Sequence, residues 1–273
     1  MSCYETVRRA LRVACVVVGC SGMGLRADEP APAAAYEMGW SNLVQMAGEL
    51  TLNTPPPAFL QQEDTPVLSS LETSENAVGA GTVCFSKGLV DLINAIAHAK
   101  ALDDDKRGFL KAYVVSLSTN GSGPSVPSPR FTDPQKAWSA DMVNTQKGYF
   151  NQIGGGLMAI QLACVQLGYH RNHAPPQGTS AKKPVPLIAS LTAAEWHRAL
   201  LTGVTNAIMI GYNTPGLVAF YQTLDQVKPK PAWMDYFLPP DARISKIVRE
   251  LKNVEDDLLQ KDNDLFRIRN FVH

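Results

Sequence analysis

Charge is missing from two long stretches of this 273-residue chain, residues 148–169 and 199–224, which contain no Asp, Glu, Lys or Arg. Each stretch carries small residues at every fourth position, and such residues share one face of a helix. A row of small residues lets another backbone approach closely. The stretches therefore predict two helices packed face to face. The residues of the two rows are Gly155, Ala159 and Ala163 in the first, and Ala199, Gly203, Ala207 and Gly211 in the second.

Both uncharged stretches are long enough to cross a bilayer, but their side-chain amides argue against a membrane location. Gln161, Gln166 and Asn206 would all need hydrogen-bond partners inside the hydrocarbon region. We expect a buried helical hairpin in a soluble bundle instead. There the amides bond to one another or to backbone, or they line a cavity, which would be the first place to look for a ligand.

Strand-like alternation of apolar and polar residues is also scarce, which leaves little support for a β-rich fold. Most of the 19 prolines fall in four clusters, 55–66, 124–134, 175–186 and 229–240, and the blocks between them have helical periodicity. The sequence predicts an all-α, multi-helix bundle around the central close-packed pair. Residues 51–82 are expected to form a long connection that contains one short helix over 69–77.

Local signals place several helix ends. Ser86 is a candidate N-cap, and the run Asp103–Asp105 is expected to end one helix and cap the next. Thr192 and Glu195 have the spacing of a capping box. Gly154, Gly155 and Gly156 lie in mid-helix, where either the helix bends or a neighbour packs too closely for a side chain.

The C-terminal region predicts a long amphipathic helix, because an apolar heptad runs over residues 244–268 between faces crowded with charge. Such a helix docks on the bundle of its own chain or pairs with a partner helix.

Net charge is absent as well, since 25 basic side chains balance 25 acidic ones. Nothing in this balance indicates a nucleic-acid partner. The N-terminal residues 1–27, in contrast, have a basic head followed by an apolar run, the layout of a signal peptide. One interpretation is a lipoprotein signal cut before Cys20, whose lipid would tether the protein to a membrane. A second is a secreted or periplasmic protein cut after Ala27, and a third is an uncleaved anchor or no export.

The expected domain organisation follows from that leader. Residues 28–35 are predicted to form a flexible tether, and residues 36–273 a single helical domain in the bacterial cell envelope.

Cysteine is scarce, with five residues, of which three lie in the predicted leader. The two others, Cys84 and Cys164, have apolar neighbours in the sequence. In an oxidising compartment they could pair as a disulfide, and two buried free thiols are an equally supported alternative.

Catalytic motifs are absent too: the chain has no Gly-x-Ser-x-Gly elbow, P-loop or dinucleotide fingerprint. The remaining candidates for chemistry are four histidines, His98, His170, His173 and His197, which would bind a divalent metal if the fold brought them together. We therefore expect a non-catalytic binding or scaffold protein that needs no cofactor. The alternative is a metal-binding bundle or a metal-dependent enzyme.

Overall fold

The computed structural model describes the backbone over residues 32–50, 58–62, 69–73, 81–120, 137–172 and 186–271. Side chains are described for 41–50, 83, 85–119, 137–170, 172 and 186–261. The helices are α1 Pro32–Leu50, α2 Lys87–Asp105, α3 Phe109–Asn120, α4 Ala140–Gln166, α5 Tyr169–Asn172, α6 Leu187–Ser190, α7 Ala193–Met209, α8 Pro215–Gln226 and α9 Ile244–Phe271. A 3₁₀ turn spans Ala232–Tyr236, and the strands are β1 Ala58–Gln62, β2 Ser69–Thr73 and β3 Gly81–Ser86.

The predicted all-α bundle is confirmed, and α4 is its central helix. Helix α4 packs most extensively against α7 and α2, and further against α8 and α1. Its middle is buried on every side, from Ile153 to Cys164, which explains why the sequence carries no charge there. No helix in the described ranges is both long and apolar enough to cross a membrane.

The pairing of the two uncharged stretches is confirmed at its centre. A Cβ atom on Gly203 of α7 would lie 2.6 Å from the backbone N and Cα of Ile160 in α4. Ala159, Ala163 and Ala207 are buried in the same region. The helices touch backbone to backbone, as small residues at this spacing permit.

Two residues of the predicted packing rows have other roles. Gly155 faces the ring of Tyr212 and the sulfur of Met46 instead of the α7 backbone. Gly211 lies beyond the end of α7, with φ of 99° and no atom within 4 Å of a Cβ built on it. Its N–H bonds to the carbonyl of Ile208, and the N–H of Tyr212 bonds to that of Ala207. This is a Schellman cap, so Gly211 ends the helix.

The glycine triplet lies where neighbours pack closely, and α4 runs through it without interruption. A Cβ on Gly154 would lie 2.8 Å from the Leu43 side chain of α1, and one on Gly156 would lie 2.7 Å from the Leu217 side chain of α8. Of the two explanations considered for this triplet, close approach is therefore correct.

A small three-stranded sheet is the main feature that the sequence analysis missed. The strand order is β1-β3-β2, with β3 parallel to β1 and antiparallel to β2. The expected helix over 69–77 is wrong, since Ser69–Thr73 is a strand. Val83 and Phe85 are fully buried at alternate positions of β3, which packs on α2 and α4. The strands are short and have proline-rich flanks, so the sequence did not reveal their alternation of buried and exposed positions.

Predicted helix ends are confirmed where side chains form them. The hydroxyl of Ser86 accepts a hydrogen bond from the N–H of Leu89 at 3.0 Å. The carboxylate of Asp103 accepts from the N–H groups of Gly108 at 2.6 Å and Leu110 at 3.2 Å. The Asp103 contacts tie the end of α2 to the start of α3, and the two helices pack against each other.

Helix α1 begins earlier than expected, because Pro32–Leu50 is helical. The last part of the predicted tether, 32–35, therefore belongs to a helix. Residues 1–31, with the predicted signal peptide and Cys20, lie outside the described part of the chain. On α1, Leu43 and Met46 are buried, while 45% of Val44 is exposed.

The amphipathic helix α9 docks on its own chain, at least over its first turns. Ile244, Ile247 and Leu251 are buried, and α9 contacts both α7 and α8. The carboxylate of Glu255 accepts hydrogen bonds from the N–H of Thr214, at 3.3 Å, and from its hydroxyl. Side chains beyond residue 261 are not described, so pairing of that part with a partner helix stays a prediction.

Candidate functional site

A cleft of about 390 Å³ opens between the N-terminal end of α7 and the N-terminal half of α9. We name it the α7/α9 cleft. Its lining comes from the start of α7, the segment that precedes α9, and the exposed side of α9. The lining residues are Leu191, Thr192, Ala193, Trp196, His197, Pro239, Pro240, Asp241, Ala242, Arg243, Lys246, Ile247 and Glu250.

The capping box fixes the α7 side of the cleft. The N–H of Thr192 donates to the Glu195 carboxylate at 2.9 Å, and the N–H of Glu195 donates to the Thr192 hydroxyl at 3.3 Å. The Thr192 hydroxyl itself donates to that carboxylate at 2.8 Å. These bonds satisfy two of the backbone N–H groups at the start of α7, those of Thr192 and Glu195. The predicted capping box is confirmed, and its position at a cleft is new.

An apolar surface backs the cleft. Leu191, Trp196 and Ile247 are each about 95% buried, with exposed fractions of 5%, 5% and 4%. The indole Nε1 of Trp196 is buried and has no hydrogen-bond partner in the described part of the chain. A buried donor without an acceptor costs roughly 1–3 kcal/mol.

Charged side chains form the opposite side. His197 Nδ1 lies 3.1 Å from Glu250 Oε2, and Lys246 Nζ lies 3.6 Å from Glu250 Oε1. Glu250 therefore contacts two basic groups. Asp241 and Arg243 line the same cleft with exposed side chains.

The cleft contains a histidine–carboxylate pair and one hydroxyl side chain. His197 has the carboxylate partner that orients a general base. The one hydroxyl side chain among the lining residues, that of Thr192, already donates to Glu195. The lining residues therefore form no hydroxyl–histidine pair.

Of the four histidines proposed as metal ligands, the three that lie in the described residues are not grouped into a metal site. His98 lies in α2, where its Nε2 bonds to the carbonyl of Ala137 at 2.9 Å and its ring lies 4.4 Å from that of Trp138. His170 is buried in α5, and His197 contacts Glu250. Within the described ranges, no three His, Cys, Asp or Glu side chains are grouped to hold a metal ion. His173 lies outside the described residues.

Burial changes the titration of two groups that the sequence analysis singled out. Burial lowers the pKa of His98, against the opposing effect of its hydrogen bond to Ala137. Burial also raises the pKa of the Cys164 thiol to about 12. Cys164 is a free, buried cysteine, which corresponds to the thiol alternative for this residue. The side chain of Cys84 is not among those described.

The amides of the central helices connect neighbouring elements. Gln152 Oε1 accepts from the N–H of Gly216 at 2.7 Å and so caps α8. Asn206 Nδ2 donates to Gln166 Oε1 at 3.4 Å across the α4–α7 pair. Gln161 is buried in the same pair. None of these amide side chains lines the α7/α9 cleft, so this cleft is not the cavity that they were expected to line.

Comparisons with protein-family profiles, with proteins of described function and with solved structures gave no match to this chain. The cleft and the sequence are therefore the basis for assigning a function.

Proposed function

We propose that this protein is a non-catalytic, small-molecule-binding protein of the bacterial cell envelope, and that the α7/α9 cleft is its binding site. The observation that carries the proposal is the cleft itself, with an apolar back and charged groups of both signs along one side. Binding sites for small molecules combine these features, and about 300–1,000 Å³ is their usual volume. At about 390 Å³ the cleft suits a metabolite-sized ligand.

Export is the second part of the proposal, and the leader supports it. Residues 1–27 combine arginines near the start with an apolar run and small residues, as secretory signals do. Mass spectrometry of the mature protein from its host tests this part. A lipid-modified N-terminal Cys20 or an N-terminal Asp28 supports export, whereas an intact N-terminus in the cytoplasm contradicts it.

The binding part is tested by thermal shift of the purified protein against a library of polar metabolites. We expect at least one compound to raise the melting temperature, because a ligand that binds only the folded state stabilises it. An Ala193→Trp variant, which fills the cleft, should lose the response. Ala194 is also exposed but does not line the cleft, so Ala194→Trp is the matched control. Equal responses in both variants would contradict the proposal.

A further inference from the structure

Two charged side chains of the α7/α9 cleft, Asp241 and Arg243, have no ion-pair partner in the described part of the chain. Lys246 and His197, in contrast, both contact Glu250. The cleft therefore offers one uncommitted anion and one uncommitted cation, which lie two positions apart in the segment that leads into α9.

This balance disfavours ligands of a single charge. The cleft is lined by the carboxylates of Asp241 and Glu250, by the cations Arg243 and Lys246, and by the imidazole of His197. A phosphate-like anion would meet both carboxylates, and a simple amine would meet both cations. A ligand that carries both charges satisfies Arg243 and Asp241 together.

The back of the cleft adds an apolar requirement. Leu191, Trp196 and Ile247 together present aliphatic and aromatic surface beside the charged groups.

The geometry points to an α-amino acid with an apolar side chain as the ligand of the α7/α9 cleft. Its carboxylate pairs with Arg243, its ammonium group pairs with Asp241, and its side chain packs on Trp196. The volume of about 390 Å³ admits one such molecule with its hydration water. This inference rests on the proposed binding function.

Isothermal titration calorimetry with L-leucine and L-phenylalanine tests it. The matched probes are the corresponding amines, which lack the carboxylate, and the corresponding acids, which lack the ammonium group. We expect the amino acids to bind, and each single-charge analogue to bind at least about tenfold more weakly, because one charge-assisted contact is lost.

The variants separate the two contacts. Arg243→Gln and Asp241→Asn should each weaken amino-acid binding by about tenfold or more. Arg243→Gln should also remove the preference for the amino acid over the amine, and Asp241→Asn the preference over the acid. Arg249 is exposed on α9 outside the cleft, so Arg249→Gln should leave binding unchanged.

Each failure has a distinct meaning. Equal affinity for the acid and the amino acid, or unchanged affinity in Asp241→Asn, overturns the zwitterion inference. If the amino acids do not bind but other library compounds do, and Ala193→Trp abolishes that binding, the amino-acid inference is overturned and the proposed binding function stands. If neither the amino acids nor the library compounds bind, both proposals are wrong.

Discussion

Gly203 of α7 lies directly against Ile160 of α4, so closely that a Cβ atom on the glycine would be 2.6 Å from the Cα of the isoleucine. Backbone atoms cannot move aside as the end of a flexible side chain can. The central pair of the bundle therefore depends on the absence of a single methyl group at this position.

Replacement of Gly203 by alanine should destabilise the protein by about 1–3 kcal/mol or more, since it forces α4 and α7 apart. Urea denaturation measures this free energy of unfolding. Gly148 is the matched control, because it lies in α4 and a methyl group added there would have no atom within 4 Å. Gly148→Ala should stabilise the protein by up to about 1 kcal/mol. An unaltered unfolding midpoint for Gly203→Ala would show that the close pairing is wrong.

Gly211 should resist substitution for a different reason, its backbone conformation. With φ of 99° and open space around it, Gly211→Ala meets no clash but adopts a conformation that costs an L-residue about 1–2 kcal/mol. Thermal or urea denaturation measures the loss. Gly48→Ala, at an open position of α1, is the control and should not destabilise. Equal effects of the two substitutions would contradict the Schellman cap.

The acid sensitivity of folding should depend on His98. Since burial lowers the folded-state pKa of His98 below its ordinary value of 6.5, the unfolded chain binds a proton more readily than the folded one. Stability is therefore lost as the pH falls through about 6.5 towards the lowered pKa. His98→Gln should reduce the slope of unfolding free energy against pH as the pH falls below about 6.5. A slope identical to that of the wild type would refute a buried neutral histidine.

Cys164 should be inert in the folded protein. It is fully buried, and burial raises the pKa of its thiol to about 12, so the reactive thiolate is scarce at neutral pH. In a variant whose only cysteine is Cys164, a thiol reagent should label the protein no faster than it unfolds. Fast labelling in native buffer would contradict the buried position.

The two alternatives for Cys84 and Cys164, a disulfide or two free thiols, are separated by one measurement. If Cys84 and Cys164 are both free, denaturation without reductant should expose two alkylatable thiols in the mature chain cut after Ala27. Finding none would mean that the two residues are joined.

Local features of the fold could be predicted from sequence because neighbours along the chain create them. The capping box of Thr192 and Glu195, the cap at Ser86 and the apolar face of α9 all belong to this class. The pairing of α4 with α7 was also predictable, since small residues at helical spacing specify a close approach whatever their separation.

The sheet and the cleft depend on contacts between distant residues. Strand β1 pairs with β3 across residues 63–80, and strands of five or six residues carry too little alternation to reveal this register. The His197–Glu250 contact joins residues 53 positions apart. The sequence places Glu255 on a charged helix face that would suit solvent, yet this residue caps α8 through Thr214. Sequence patterns indicate which residues share one face of a helix, but they do not indicate which distant residues pack against that face.

The most direct test of the account is the position of a bound ligand, mapped by NMR chemical-shift changes on isotope-labelled protein titrated with L-leucine. If the cleft is the binding site, the largest changes should fall in Leu191–His197 and in Asp241–Ile247, and Ala193→Trp should abolish them. Absence of saturable changes, or changes centred on residues outside these two segments, would contradict the assignment of the α7/α9 cleft as the site for this ligand.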